Sequence, residues 1–299
     1  MPRPTLDARS GGSDPLHPSA LLRHRRGVRG VHPAPGVRRP HGGDVRAPAP
    51  VRLLPPRVPR GRARRAGPAV TTFLLVHGAF RGGWSWRRVR PLLAAAGHDV
   101  YAPSLAGAGE RASTEVTGLA DWVDELAALI ELEDLDELVL AGHSQGGVVV
   151  RALADRVPER LRHVVYLDAA VPDPGERAVD LTPAPPGVSL PPRETLVPAR
   201  PPVSGGDLDD ATAAWLGARL TPTPFAPSLD PLRVADAHAV PVTYVFCAAT
   251  PAGYPAQTTR ERLDARGVAY DVIEAGHDAP LTAPDVVADL LMRAAARPA

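Results

Sequence analysis

Residues 142 to 147 read GHSQGG, placing a serine between glycines directly after the apolar run LDELVLA and directly before the helical pattern VVVRALADRV. Gly142-x-Ser144-x-Gly146 has the spacing of a nucleophile elbow, a tight strand-to-helix turn that presents a hydroxyl from a strained backbone. The flanking glycines are needed because a side chain at either position would run into the neighbouring strand or helix. A serine hydroxyl is a poor nucleophile at neutral pH and needs a base beside it. Among the ten histidines, those at 17, 24, 32 and 41 lie in a basic N-terminal arm. His98 and His163 begin strands at the opposite edge, His238 precedes a strand, and His77 ends a strand inside the loop expected to bind an oxyanion. His277, in EAGHDAP just past the last strand, is the base this elimination leaves. A tetrahedral oxyanion needs two preorganised N–H donors, one after the nucleophile and one from the first strand-to-helix loop; here these are Gln145 and Ala79.

The elements that must position these groups follow from apolar periodicity. TTFLLVHG is a buried strand entering the turn AFRGG, and WSWRRVRPLLAAAG carries apolar residues at 86, 89, 92 and 93 with Gly97 as C-cap. HDVYAPS is a second strand. GLADWVDELAALIELEDL sets Leu119, Trp122, Val123, Leu126 and Leu129 on one helical face before the strand DELVLAG. The helix QGGVVVRALADRV, the strands LRHVVYLDA, VPVTYVFCA and YDVIEAG, and the closing helix PDVVADLLMRAAA complete an alternation that predicts an α/β, doubly wound, mostly parallel sheet. One interval, 171 to 239, breaks it. This Pro-rich stretch holds one convincing helix, DLDDATAAWLGARL, and reads as a lid over the crevice at the strands' C-terminal ends. Trp215, Leu216, Leu220 and Phe225 need somewhere to bury, which weakens the alternative of a disordered linker.

Charge is distributed unevenly. Residues 1 to 70 carry 15 Arg against 3 Asp and 13 of the 36 Pro, so the net charge of +1 is a cancellation between a basic arm and an acidic remainder. Residues 1 to 69 are expected to be disordered, as a solvated arm, a basic tether, or upstream sequence with Val70 as an alternative start; residues 70 to 299 form the folded domain. Without interleaved aromatics the arm is weak evidence for nucleic-acid binding. With no secretory apolar segment and no run of 18 apolar residues, a cytoplasmic protein without a membrane span is expected. A single Cys, Cys247, excludes an intrachain disulfide, and the absence of Lys suggests a high-GC bacterial gene.

The segments LLVHGAFRGGWSW, APSLAGAGERA, GHSQGG, VVYLDAAVPDPGE and EAGHDAP together resemble the α/β-hydrolase superfamily, and within it the branch of plant methylesterases, hydroxynitrile lyases and related bacterial esterases. The resemblance covers residues 71 to 299. It implies a sheet of about eight strands with a lid after the sixth, and cofactor-free, metal-free hydrolysis of a small-molecule carboxylic ester. In that branch the acid of the triad follows the strand matching VTYVFC, yet AATPAGYPAQ holds no carboxylate before Glu261. Asp168, ending VVYLD, stands at the alternative position used by lipase-like relatives and is the acid expected here; otherwise it caps a loop and a Ser-His dyad remains. Phe80, Trp84 and Trp215 are candidate contacts to an apolar substrate, although aromatics at such spacing are more often core.

Two other functions stay open. A non-catalytic ligand binder is motivated by the missing carboxylate after Cys247. A hydroxynitrile lyase fits less well, because relatives with that activity carry a hydroxyl residue after the first-strand histidine and a lysine after the catalytic one, where this chain has Gly78 and Asp278.

Overall fold

The computed structural model describes residues 70–235 and 239–297, so the basic arm and its expected disorder lie outside the described residues, as does His238. Strand β1 (Thr72–Val76) leads through a single-turn 3-10 helix (Gly83–Trp86) to helix α1 (Arg90–Ala95) and strand β2 (Asp99–Tyr101). Helix α2 (Leu119–Leu132), β3 (Leu138–His143), α3 (Gly146–Arg156) and β4 (Leu161–Leu167) follow. The insertion then contributes a two-stranded ribbon, β5 (Leu196–Val197) and β6 (Thr223–Pro224), with α4 (Asp210–Gly217) between them and α5 (Ala226–Leu229) after. The chain returns through β7 (Val242–Cys247), α6 (Pro255–Arg266), β8 (Asp271–Ile273), the short α7 (Ala279–Thr282) and α8 (Pro284–Ala296).

Six strands pair in the order β2-β1-β3-β4-β7-β8, every pairing parallel. Period-two alternation divides the core between the sheet's faces. Leu74, Val76, Leu138, Leu140, Val164 and Tyr166 pack with α2 and α3 on one side. Phe73, Leu75, Val139, Ala141, Val165 and Leu167 pack with Leu93, Leu290 and Leu291 on the other. Strands buried on both faces are the reason these runs are apolar throughout. The expected eight strands with a lid after the sixth are corrected by this topology: among the described residues the main sheet has six strands, and the insertion departs after the fourth, β4.

The helix expected to begin at Trp84 is a 3-10 turn instead, and α1 starts only at Arg90, where Pro91 suits a helical first turn. Leu208, Ala213 and Leu216 of the insertion form a small cluster with Leu281 of α7, against which Trp84, Trp215 and Leu220 pack. This cluster seats the insertion on the domain, while Val188, Leu190, Leu196 and Val203 of the same segment stay exposed.

Trp86 is among the largest fully buried side chains and lies against β1 and α1. Replacing it with alanine should cost about 3–5 kcal/mol, read as a lower urea midpoint at unchanged slope.

Candidate active site

The turn between β3 and α3 puts Ser144 at φ 55, a left-handed conformation that a Cβ residue adopts only when its surroundings enforce it. Ser144 N–H donates to Leu167 O at 3.3 Å and Ser144 O accepts from Ala170 N–H at 3.0 Å, fastening the turn to the end of β4. The glycines act as expected. A Cβ on Gly146 would lie 2.7 Å from the carbonyl oxygens of Val76 and His77, and one on Gly142 the same distance from Gly146 O.

The loops after β3, β4 and β8 bring the three sequence-selected residues together. Ser144 Oγ lies 3.0 Å from His277 Nε2, and His277 Nδ1 lies 2.6 Å from Asp168 Oδ2. Asp168 is 1% exposed and also sits at positive φ, 45. Besides His277, its carboxylate accepts from the Thr250 hydroxyl at 2.5 Å and the Cys247 N–H at 3.2 Å. Burial alone would raise its pKa, but these donors hold it below the usual carboxylate value. The loop after β7, which lacks a carboxylate of its own, therefore contributes a hydroxyl that fixes the carboxylate of β4. From the same loop, Tyr254 packs its ring 4.4 Å from that of His277.

Ala79 and Gln145 both line a narrow cavity beside Ser144, shared with Phe80, Leu105, Trp122, Val149 and Pro224. Phe80 thus stands in the cavity wall, whereas Trp84 and Trp215 do not: they pack edge to face, 5.5 Å apart, across the contact between the insertion and the domain. Trp122, read from sequence as helix core, reaches the cavity while its indole N–H donates to Ala106 O at 2.9 Å. The insertion closes the cavity through Thr223 and Pro224, and Gln145 Nε2 donates to Ser228 Oγ at 2.9 Å. It is also fastened beside His277, where Asp207 Oδ2 accepts from Gly276 N–H and from the Thr282 hydroxyl, each at 2.6 Å.

Other residues escaped the sequence reading. His143, inside the GHSQGG segment itself, was passed over in the elimination of histidines. It is 1% exposed, its Nε2–H donates to His277 O at 2.7 Å, and the two rings are 4.8 Å apart. Burial, reinforced by neighbouring His277, lowers its pKa to about 3, so it is a neutral support for the His277 loop. Burial likewise lowers His77 to about 4. His77 Nε2 accepts from Leu105 N–H at 3.0 Å, which leaves Nδ1–H to donate to Gly78 O at 2.9 Å and hold the loop after β1. The Arg81 guanidinium joins that loop to the His277 loop, reaching Asp278 Oδ1 at 2.5 Å and Ala79 O at 3.0 Å. Only the adjacent opposite charges Arg81 and Asp278, one in each turn, could have hinted at this pairing.

Comparison with known proteins agrees with this fold. A family model described as the alpha/beta hydrolase family matches residues 73–290. A carbendazim hydrolyzing esterase of Nocardioides sp. (strain SG-4G) is 43% identical over 124 residues, 40% of this chain and 51% of that protein. Salicylic acid-binding protein 2 of Nicotiana tabacum is 42% identical over 104 residues, 34% of this chain and 40% of that protein. The matched stretches therefore span about half or less of these curated relatives. Among solved structures, an extracellular alpha/beta-hydrolase from a Paenibacillus species superposes with TM-score 0.61 at 23% identity, covering 76% of this chain and 100% of the other, a likeness of fold.

Burial would raise the Asp278 carboxyl, but Arg81 and His277 hold it below the usual value. A carboxylate so depressed stabilises the fold above its unfolded pKa of about 3.9 and loses that contribution as pH falls through its folded value. Asp278→Asn should therefore be less stable than the parent at pH 7, with the gap narrowing below about pH 4, as urea titrations across pH 3–7 will show.

Proposed function

The chain belongs to the alpha/beta hydrolase family, and on that premise we propose that it hydrolyses carboxylic esters of small to medium apolar substrates through an acyl-enzyme on Ser144. The observation that carries this reading is the run of short contacts from Ser144 Oγ through His277 to Asp168 at one edge of the sheet. In the proposed cycle Ser144 Oγ attacks the ester carbonyl while His277 Nε2 takes its proton. The carbonyl oxygen becomes an anion facing the N–H groups of Ala79 and Gln145. Collapse of the intermediate breaks the acyl C–O bond and His277 returns the proton to the departing alcohol. Water, deprotonated by His277, then attacks the acyl carbon, and Ser144 leaves with the proton restored.

Asp168 keeps the imidazole in the tautomer that presents a bare Nε2 to Ser144 and stabilises the imidazolium once formed. The apolar lining of Phe80, Leu105, Trp122, Val149 and Pro224 favours an apolar substrate group. The relatives named as esterases support the reaction class.

The ligand-binder alternative drew its motive from the missing carboxylate after Cys247, and Asp168 supplies a carboxylate to His277 from another strand. Lyase chemistry is disfavoured by a specific contact. A Cβ on Gly78 would lie 2.6 Å from Ser144 Cβ, so the hydroxyl residue carried there by the lyase relatives has no room. A cytoplasmic site of action is proposed, with fractionation of the source cells as its check.

Short-chain aryl esters should be turned over by the purified protein, and Ser144→Ala should reduce kcat by about 10⁴-fold or more; equal turnover by the variant would sink the esterase reading. Asp168→Asn should remain folded and lose roughly 10²–10⁴-fold in kcat, with KM little changed.

A further inference from the structure

The peptide between Ala79 and Phe80 is gripped at both ends. Its carbonyl oxygen, on Ala79, accepts from Arg81 Nη1 at 3.0 Å, and its N–H, on Phe80, donates to Thr223 Oγ1 at 2.5 Å. The next carbonyl, Phe80 O, accepts from Thr221 N–H at 3.0 Å. Phe80 itself sits at φ 65, a left-handed conformation that its Cβ disfavours. Rotation of the Ala79–Phe80 peptide would change Ala79 ψ and Phe80 φ together and let Phe80 return to negative φ. Ala79 N–H belongs to the preceding peptide, and it keeps its aim only while Ala79 itself is held in place, which the grip on the Ala79–Phe80 peptide provides. What opposes the rotation comes largely from the insertion: Thr223 is 8% exposed and held in the ribbon opposite Val197.

We propose that Thr223 is a positioning residue for the oxyanion site, its hydroxyl holding the Ala79–Phe80 peptide so that Ala79 N–H faces the developing oxyanion. This rests on the hydrolase reading and assigns the insertion a part in it: the ribbon that covers the cavity also sets one of the two donors. Gln145, the other donor, is tied by its side chain to Ser228 five residues further along the same segment. The insertion thus reaches both halves of the oxyanion site, and its seating preorganises them before substrate arrives.

Thr223→Val keeps the side chain's shape and removes the acceptor, while Thr223→Ser keeps the acceptor. With p-nitrophenyl acetate, Thr223→Val should lose roughly ten- to a hundred-fold in kcat with KM within about threefold of the parent, and Thr223→Ser should recover most of the loss. Hydrogen exchange at the Phe80 amide should quicken in Thr223→Val and stay slow in Thr223→Ser. A parental kcat in Thr223→Val, a Thr223→Ser variant equally impaired, or unchanged Phe80 exchange overturns the proposal. Should Thr223→Val not fold, Thr223→Ala removes the same acceptor and carries the same expectations. Parental turnover that does not depend on Ser144 would overturn the hydrolase reading instead. The exchange comparison needs no substrate and judges the grip on the peptide by itself.

Discussion

A carboxylate taken almost wholly out of water must recover in hydrogen bonds what it loses in hydration. Asp168 does so with donors from three separate places: the Cys247 amide at the end of β7, the Thr250 hydroxyl beyond it, and the His277 ring past β8. Each donor is itself fixed by strand pairing or by its loop, so the carboxylate acts as the common node of three adjacent strand ends. The orientation of His277, and through it the contact with Ser144, depends on that node. Removing the charge while leaving the donors would turn a satisfied network into buried groups facing an imperfect acceptor.

Backbone strain gathers around the same node. Of the five non-glycine residues at positive φ among the described residues, three are Phe80, Ser144 and Asp168. Such conformations persist only where packing over-determines them. Here the two-sided core supplies the constraint: β1, β3 and β4 are buried on both faces, and the strained residues stand at or just past their ends. A neutral His77 and a neutral His143 extend that support into the loops, the first bonding backbone groups through both ring nitrogens and the second donating to His277 O, and neither carries charge into the site.

The alternation of strand and helix was legible because burial on both faces writes continuous apolar runs into β1, β3 and β4, whereas the edge strands β2 and β8 are short and partly exposed. Ser144 and His277 could be read because each stands just past a strand. Asp168 could be read as a strand-end carboxylate, but its partner Thr250 could not, since nothing local distinguishes that threonine from its neighbours in AATPAGYPAQ. His143 was hidden by its proximity to the serine, and Arg81 with Asp278 by a separation of nearly two hundred residues. The aromatics show the limit most plainly. Trp84 and Trp215 looked like cavity residues and instead pin the insertion, whereas Trp122 satisfied a helical pattern and turned out to border the cavity. Side-chain direction at a helix end or in a loop is set by tertiary packing, which periodicity does not encode.

Asp207 accepts hydrogen bonds from both Gly276 and Thr282, on either side of His277 in the chain. An insertion joined in this way is no interchangeable cap. Over evolutionary time, or in a recombined chimera, a different segment grafted after β4 would have to bring its own acceptor for the Gly276 amide. Diversification of the covering segment is therefore coupled to the turn that carries His277, and the two are expected to change as a unit.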